Sequence, residues 1–97
     1  MIIGEIVQQP LETLDYDIDY TDLVYADGDT IVSITATVDL VTDPVLSVTA
    51  VVKDTLTGKI WVSGGVTGNA YTVTVTATSD DGRIKEDEFL VCIEETS

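Results

Sequence analysis

Apolar and polar residues alternate along most of this chain with a period of two. The clearest case is residues 71–78, Tyr-Thr-Val-Thr-Val-Thr-Ala-Thr, in which every second side chain is apolar. Residues 14–20 repeat the pattern with aspartate at each polar position. Because successive side chains of a β-strand point to opposite faces of its sheet, this alternation predicts half-buried strands. Helical periodicity is hard to find, and we predict no helix.

Seven candidate strands, counting residues 2–7, are separated by turn signals such as Gly28, Asp43-Pro44 and Gly82. Short strands at this spacing predict an all-β fold, an antiparallel two-sheet sandwich of the immunoglobulin or fibronectin III-like kind, with a small open barrel as the alternative. Tyr71 is the aromatic that we expect to anchor a corner of the sandwich. The side chains that we expect to face the core are Leu14, Tyr16, Ile18 and Tyr20; Val32, Ile34, Ala36 and Val38; Leu46, Val48, Ala50 and Val52; and Phe89, Val91 and Ile93.

The length of 97 residues leaves room for one domain. We predict an N-terminal extended arm or edge strand over residues 1–13 and a single β-sandwich domain over residues 14–97. Residues 1–10 lack both a positive charge and a long apolar run, so we expect no secretory signal. No segment is long and apolar enough to predict a membrane span, and we expect no membrane association.

The amino-acid composition excludes several kinds of catalytic site, metal site and binding partner. The chain has no histidine and one cysteine, Cys92, which excludes histidine-based catalytic triads, histidine-ligated zinc and an intrachain disulfide. Eighteen acidic residues against four basic ones give a formal net charge of −14. Nucleic acid and anionic lipid would be repelled by this charge, so we expect neither as a partner. A basic protein or a multivalent cation would be attracted, although surface charge also serves solubility.

The carboxylates do not form a recognisable metal or catalytic motif. Asp15, Asp17 and Asp19 first suggest a calcium loop, but the helix-loop-helix spacing would put Tyr20 at the glycine position and Ala26 at the glutamate position. On an extended strand these carboxylates are about 6.6–6.8 Å apart, too far for neighbours to share one ion. The other acidic residues fall on turns and outer faces. We therefore expect no catalytic residue, no metal site and no cofactor, and we predict that the protein is not an enzyme.

The aromatic residues are the best candidates for a contact surface. Trp61 lies between Ile60 and Val62, so both faces of its short strand are apolar. Only one face can pack into the core of the sandwich, and the other needs a further contact. Trp61 then belongs either to the core or to a protein interface, where aromatic residues are enriched. The alternation places Cys92 opposite Phe89, where it would be an inert small apolar group or, if exposed, a reactive one. The candidate interface residues are Trp61, Tyr16, Tyr20 and Tyr25.

Three segments resemble a group of small phage virion proteins, the fiber–tail adaptor or head–tail structural proteins. They are Leu-Asp-Tyr-Asp-Ile-Asp-Tyr at 14–20, Asp-Thr-Ile-Val-Ser-Ile-Thr-Ala-Thr-Val at 29–38, and 60–78 with Gly82-Arg83. The specific parts are the first segment and Trp-Val-Ser-Gly-Gly-Val-Thr-Gly at 61–68. In the group, the aromatic at position 20 is often tryptophan, and here it is Tyr20.

The resemblance implies a non-enzymatic virion structural protein, made in the cytoplasm of the host bacterium. Such a protein would join the tail or head–tail junction to a fiber, contact tail, portal or adaptor, and fiber proteins, and act as a symmetric homo-oligomer within the particle. Two alternatives stay open at this point. One is a capsid decoration protein that clamps coat subunits. The other is a carbohydrate- or cell-surface-binding module in which Trp61 or Tyr25 stacks on sugar.

Overall fold

The computed structural model describes residues 2–20, 29–54 and 56–95, with side chains from residue 4 onward. The predicted all-β class is confirmed, and the strands form a two-sheet sandwich. Across the described residues no helix is long and apolar enough to cross a membrane. The strands are β1 (Ile2–Gln8), β2 (Thr13–Asp19), β3 (Ile31–Val38), β4 (Leu46–Val52), β5 (Thr57–Gly64), β6 (Asn69–Ser79) and β7 (Ile84–Ile93).

The two sheets differ in size. The first contains four strands in the order β1-β7-β6-β3, and the second contains three in the order β2-β5-β4. All neighbouring strands are antiparallel except β1 and β7, which run parallel, with Ile6 opposite Val91 and Gln8 opposite Ile93. This pair differs from the all-antiparallel prediction because β1 is joined to a strand of the other sheet, so no hairpin fixes its direction. The order β3-β6-β7 against β4-β5-β2 supports the immunoglobulin- or fibronectin-like assignment, which stays a prediction.

The centre of the core is built on β6, the strand with the strictest alternation. Tyr71, Val73, Val75 and Ala77 are each 0% exposed, while the threonines between them lie on the outer face. Strands β5 and β7 contribute the other fully buried residues, Ile60, Val62, Val91 and Ile93. Burial of apolar side chains in this continuous layer is the main stabilising contribution to the fold.

The predicted inward rows are wrong at Val32, which is 53% exposed. Strand β3 contains an irregularity between Ile31 and Ser33, and this extra residue turns Val32 outward while Ile31 and Ile34 are buried. Val52 lies on the inner face of β4, opposite the buried Gly58, and is 38% exposed because it ends the strand at an edge of the smaller sheet. The turn predicted at Gly28 lies outside the described residues.

Tyr71 anchors a corner of the sandwich, as its position in the penultimate strand predicts. Its hydroxyl accepts a hydrogen bond from the Val66 N–H at 2.9 Å and lies 2.8 Å from the hydroxyl of Thr42. The loop before β6 and the loop before β4 are thereby tied to a fully buried ring. A buried phenol requires such partners, because an unpaired hydroxyl inside the core would be destabilising.

Candidate protein interface on the three-stranded sheet

Trp61 lies at the centre of the outer face of the three-stranded sheet. It belongs to the middle strand β5, directly between Asp15 of β2 and Thr49 of β4. Its neighbours Ile60 and Val62 point inward and are 0% exposed, whereas Trp61 is 42% exposed. Of the two alternatives open from the sequence, the structure excludes Trp61 from the core. This large aromatic group therefore remains accessible on a folded chain.

An ion pair holds the indole ring. The Lys59 ammonium lies 5.7 Å from the ring centroid of Trp61, within the range of a cation–π interaction, and 2.9 Å from the Asp15 carboxylate. The hydrogen bond from Lys59 is the main reason that the pKa of Asp15 is lowered. Lys59 thus links a carboxylate on β2 to the aromatic ring on β5, and the ring orientation is restrained before any partner binds.

A second ion pair and an apolar side chain complete this face. Lys53 lies 2.9 Å from Asp17, and the hydrogen bond between them is the first cause of the raised pKa of Lys53. Val51 stands opposite Lys59 and is 42% exposed. An exposed aromatic ring beside a valine, surrounded by charged and hydroxyl groups, has the composition of a protein interface with an apolar centre and a polar rim. We name Asp15, Asp17, Val51, Lys53, Lys59 and Trp61 together the Trp61 face.

Tyr16 and Tyr20, two of the tyrosines predicted as interface residues, do not belong to the Trp61 face. Tyr20 is only 3% exposed, so it cannot contact a partner while the fold is intact, and its burial raises its pKa to about 12. Tyr16 points into the sandwich and is half-buried, and burial raises its pKa as well. Tyr25 lies outside the described residues. The alternation had already placed Tyr16 and Tyr20 on an inner face, and their burial follows from it.

Gln8 forms a polar junction that the sequence analysis missed. Its side chain is 1% exposed, and its amide nitrogen donates to the backbone carbonyls of Val62 and Glu12, each at 2.9 Å. Its amide oxygen accepts a hydrogen bond from the Tyr16 hydroxyl at 2.8 Å. The end of β1 is thereby joined to β2 and β5 of the other sheet. The available signal was that Gln8 shares the inner face of β1 with Ile6.

A second missed cluster surrounds Asp29, whose side chain is 0% exposed. One carboxylate oxygen accepts the N–H groups of Thr30 and Asp81, each at 3.0 Å, and the other is paired with Arg83. Burial disfavours the charged form, but the hydrogen bonds, led by that from Asp81, hold the pKa of Asp29 below 3.8. From the sequence, Asp29 was only one of the acidic residues placed on turns and outer faces, and its partners in the β6–β7 hairpin were not predicted.

An open cleft lies between the edge strands β1 and β2. Its volume is about 250 Å³, and Ile60 and Phe89 contact it from the core. Its remaining lining residues come from the two strands and are Gly4, Glu5, Ile6, Tyr16, Asp17 and Ile18. The lining is mostly apolar, with one carboxylate on each strand. We name this feature the β1–β2 cleft.

The described residues hold no group of three or more potential metal ligands. Asp15 and Asp17 are each paired with a lysine on the outer face. The Cys92 thiol donates to Glu5 at 3.5 Å, and burial is the first cause of its raised pKa, so this thiol is less reactive than an ordinary one.

A small β-sandwich with a restrained, accessible tryptophan on a flat sheet face is a binding or structural module. Comparison with known protein families assigns the chain more narrowly. A family model described as podophage GP4 fiber-tail adaptor protein gp77 matches residues 8–92. The chain belongs to this family of phage fiber-tail adaptor structural proteins, and the resemblance drawn from its sequence is confirmed. In a comparison with curated proteins no significant match was found.

Proposed function

We propose that this protein joins the tail or head–tail junction of a phage particle to a fiber, and that the Trp61 face is one of its two contact surfaces. The observation that carries the proposal is the exposed indole of Trp61 at the centre of a sheet. Tryptophan is among the residues that contribute most to binding energy when a partner desolvates them. Membership of a family of structural adaptors supports the noncatalytic role.

The charge distribution supports a basic or polar partner. Each of the four basic residues is already paired with an aspartate within the chain, and these pairs involve Lys53, Lys59, Arg83 and Lys85. The chain has 18 acidic residues against these four basic ones, and the net charge is −14. Complementary charge on tail or fiber proteins would speed association and orient the two surfaces.

We further propose that several copies act together in a symmetric ring within the particle. A single Trp61 face is a small contact, and symmetry multiplies weak contacts into a stable junction. In this proposal the chain is made in the cytoplasm of the host bacterium and then enters the virion. A capsid decoration role and a sugar-binding role are the competing possibilities, and the family match favours neither of them.

The Trp61→Ala variant tests the proposed surface. We expect it to fold normally, because Ile60 and Val62 keep the core intact, and to be depleted from assembled particles. The matched control is Ile84→Ala, which removes a side chain of 69% exposure from the other sheet. Circular dichroism would verify folding, and quantitative mass spectrometry of purified particles would measure incorporation. Equal incorporation of both variants would contradict the proposal.

The location of the wild-type chain tests the adaptor role itself. We expect mass spectrometry of separated tails and capsids to find the chain with the tail or head–tail junction. Recovery only with capsids would favour decoration. Binding to a glycan array that is lost in Trp61→Ala would favour the sugar-binding role.

A further inference from the structure

The two sheets have unequal numbers of strands, and the difference falls at one lateral side of the sandwich. Strands β1 and β2 are edge strands of different sheets, and both line the β1–β2 cleft. Four strands face three, so β1 extends past the smaller sheet. The β1–β2 cleft is the space that a fourth strand of the smaller sheet would cover.

The inward-facing side chains of β2 are also incompletely covered. Leu14 is 39% exposed, and Tyr16 and Ile18 are only half-buried, although all three point into the sandwich. Among the described residues no strand pairs with the outer edge of β2. Between Thr13 and Ile18, the N–H and C=O groups along this edge therefore have no described strand as a partner and can pair with an added strand. Such a strand would also cover the exposed parts of these three side chains.

The β1–β2 cleft is suited to strand side chains and not to a small-molecule ligand. At about 250 Å³ it is smaller than typical ligand pockets, and it is open along its length. Gln8 joins β1 to β2 by accepting a hydrogen bond from the hydroxyl of Tyr16, which lines the cleft. Apolar side chains from alternate positions of an extended segment could enter the remaining space, as in recognition by β-strand addition.

We propose that an extended, basic segment of another virion protein adds to the free edge of β2 and closes the β1–β2 cleft. The charge around the cleft selects the partner. Glu5 lines it from β1, and Asp15 and Asp17 lie on the outward side of β2. Each of these two aspartates is paired with one lysine of this chain, but both are exposed, and an ionised carboxylate can accept hydrogen bonds from a second cation on an added strand. A second copy of this chain would add another −14 charges, whereas a segment with lysine or arginine at its outward positions would be attracted. This proposal rests on the adaptor role and names the chemistry of one partner.

Two synthetic peptides test the proposal on the full chain. Both have roughly eight residues, the length of a β-strand, and alternate valine with lysine in one and valine with glutamate in the other. Hydrogen exchange measured by NMR would follow each amide. We expect the lysine peptide to protect from exchange those amides of β2 that point to its free edge, and to shift the NMR signals of Ile6 and Phe89. We expect no protection from the glutamate peptide.

The charge requirement is tested by Asp17→Lys, an exposed position at the cleft. It should weaken binding of the lysine peptide at least about fivefold, the effect of one or two exposed ion pairs. The matched control is Asp43→Lys, which makes the same charge change in an exposed bend outside the β1–β2 cleft and should alter binding less than twofold, roughly the limit of measurement.

Three outcomes of the peptide experiment would overturn the proposal: equal binding of both peptides, protection of the β3 or β4 edge instead of the β2 edge, or no protection by millimolar lysine peptide. Concentration-dependent protection of β2 without peptide would identify a second copy as the occupant and would also overturn it. Failure of the β2 proposal can be distinguished from failure of the adaptor role. If the chain is found in tails but β2 is not protected, only the β2 proposal fails, and a chain absent from tails removes the adaptor role.

Discussion

The inner faces of the two sheets are buried to different degrees. On β6, in the interior of the four-stranded sheet, every inward side chain from Tyr71 to Ala77 is 0% exposed. On β2, at the edge of the three-stranded sheet, Leu14 is 39% exposed and the inward residues that follow it are half-buried. The two strands have the same alternation but not the same surroundings. Stability therefore resides mainly around β6, while the β2 side leaves part of its apolar surface exposed.

Alanine substitutions in the core should show the largest difference between the two regions. Ile93→Ala, on β7 beside β6, creates a cavity at a fully buried position and should lower the free energy of unfolding by about 2–5 kcal/mol. Leu14→Ala removes a partly exposed side chain and should cost less than about 1 kcal/mol. Urea unfolding followed by fluorescence would measure both. Similar losses for the two variants would mean that the β2 side is as well packed as the centre.

Ion pairs provide the next test. Arg83→Met leaves the buried Asp29 carboxylate without its cation, and we expect the Tm to fall by roughly 5–10 °C. Lys53→Met breaks an exposed pair on the Trp61 face, with both side chains nearly half exposed, and should leave the Tm almost unchanged. Differential scanning calorimetry would compare them. A large effect of Lys53→Met would show that the Trp61 face contributes to folding as well as binding.

Removal of single hydroxyl groups should give a smaller difference. Tyr71→Phe leaves the Val66 N–H without its partner near the core and should cost about 1–2 kcal/mol of unfolding free energy. Tyr16→Phe removes one hydrogen bond to Gln8 and should cost about 0.5–1 kcal/mol, because the half-buried Tyr16 lines the open β1–β2 cleft and water from the cleft can occupy the place of its hydroxyl. Equal costs would indicate that water does not reach Gln8.

The smallest expected effect is on the pH dependence of stability. The pKa of Asp29 is below 3.8 in the folded chain and near 3.8 when unfolded, so its contribution is present above about pH 4 and declines as the pH falls through the folded value. Asp29→Asn should therefore flatten the loss of stability between about pH 5 and pH 3. The pKa of Asp15 is also lowered, so its ionised carboxylate likewise contributes stability that declines as the pH falls. The ion pair of Asp15 with Lys59 is exposed, so added salt should reduce the effect of Asp15→Asn on this pH dependence. Urea unfolding at several pH values and two salt concentrations would separate them.

Alternation alone predicted the well-paired centre of the fold. On β6 the pattern is uninterrupted, and each side chain that it placed inward is buried. It failed at Val32, because a period of two contains no information about an inserted residue. It also gave no partner for β1, since pairing between distant strands leaves no local trace. The parallel β1–β7 contact appears only in the folded chain.

The candidate site was predictable in part. The apolar strand around Trp61 showed that one face must be accessible, and only the structure shows which. The ion pairs of the Trp61 face join Asp15 and Asp17 of β2 to Lys59 of β5 and to Lys53, which follows β4, so their proximity depends on register. Gln8 and Asp29 were missed for the same reason, since their partners are far away in sequence.

The parallel pairing of β1 with β7 has a mechanical consequence. The two strands point the same way, and Gln8 and Ile93 lie side by side at one end of the ladder while Ile2 and Glu88 lie side by side at the other. A force that pulls on Ile2 and on Ile93 in opposite directions acts along both strands, so the hydrogen bonds between them are loaded together in shear. In a hairpin pulled open from its free end they would break one at a time. A part that transmits tension between larger bodies would gain resistance to rupture from this geometry without any additional contact.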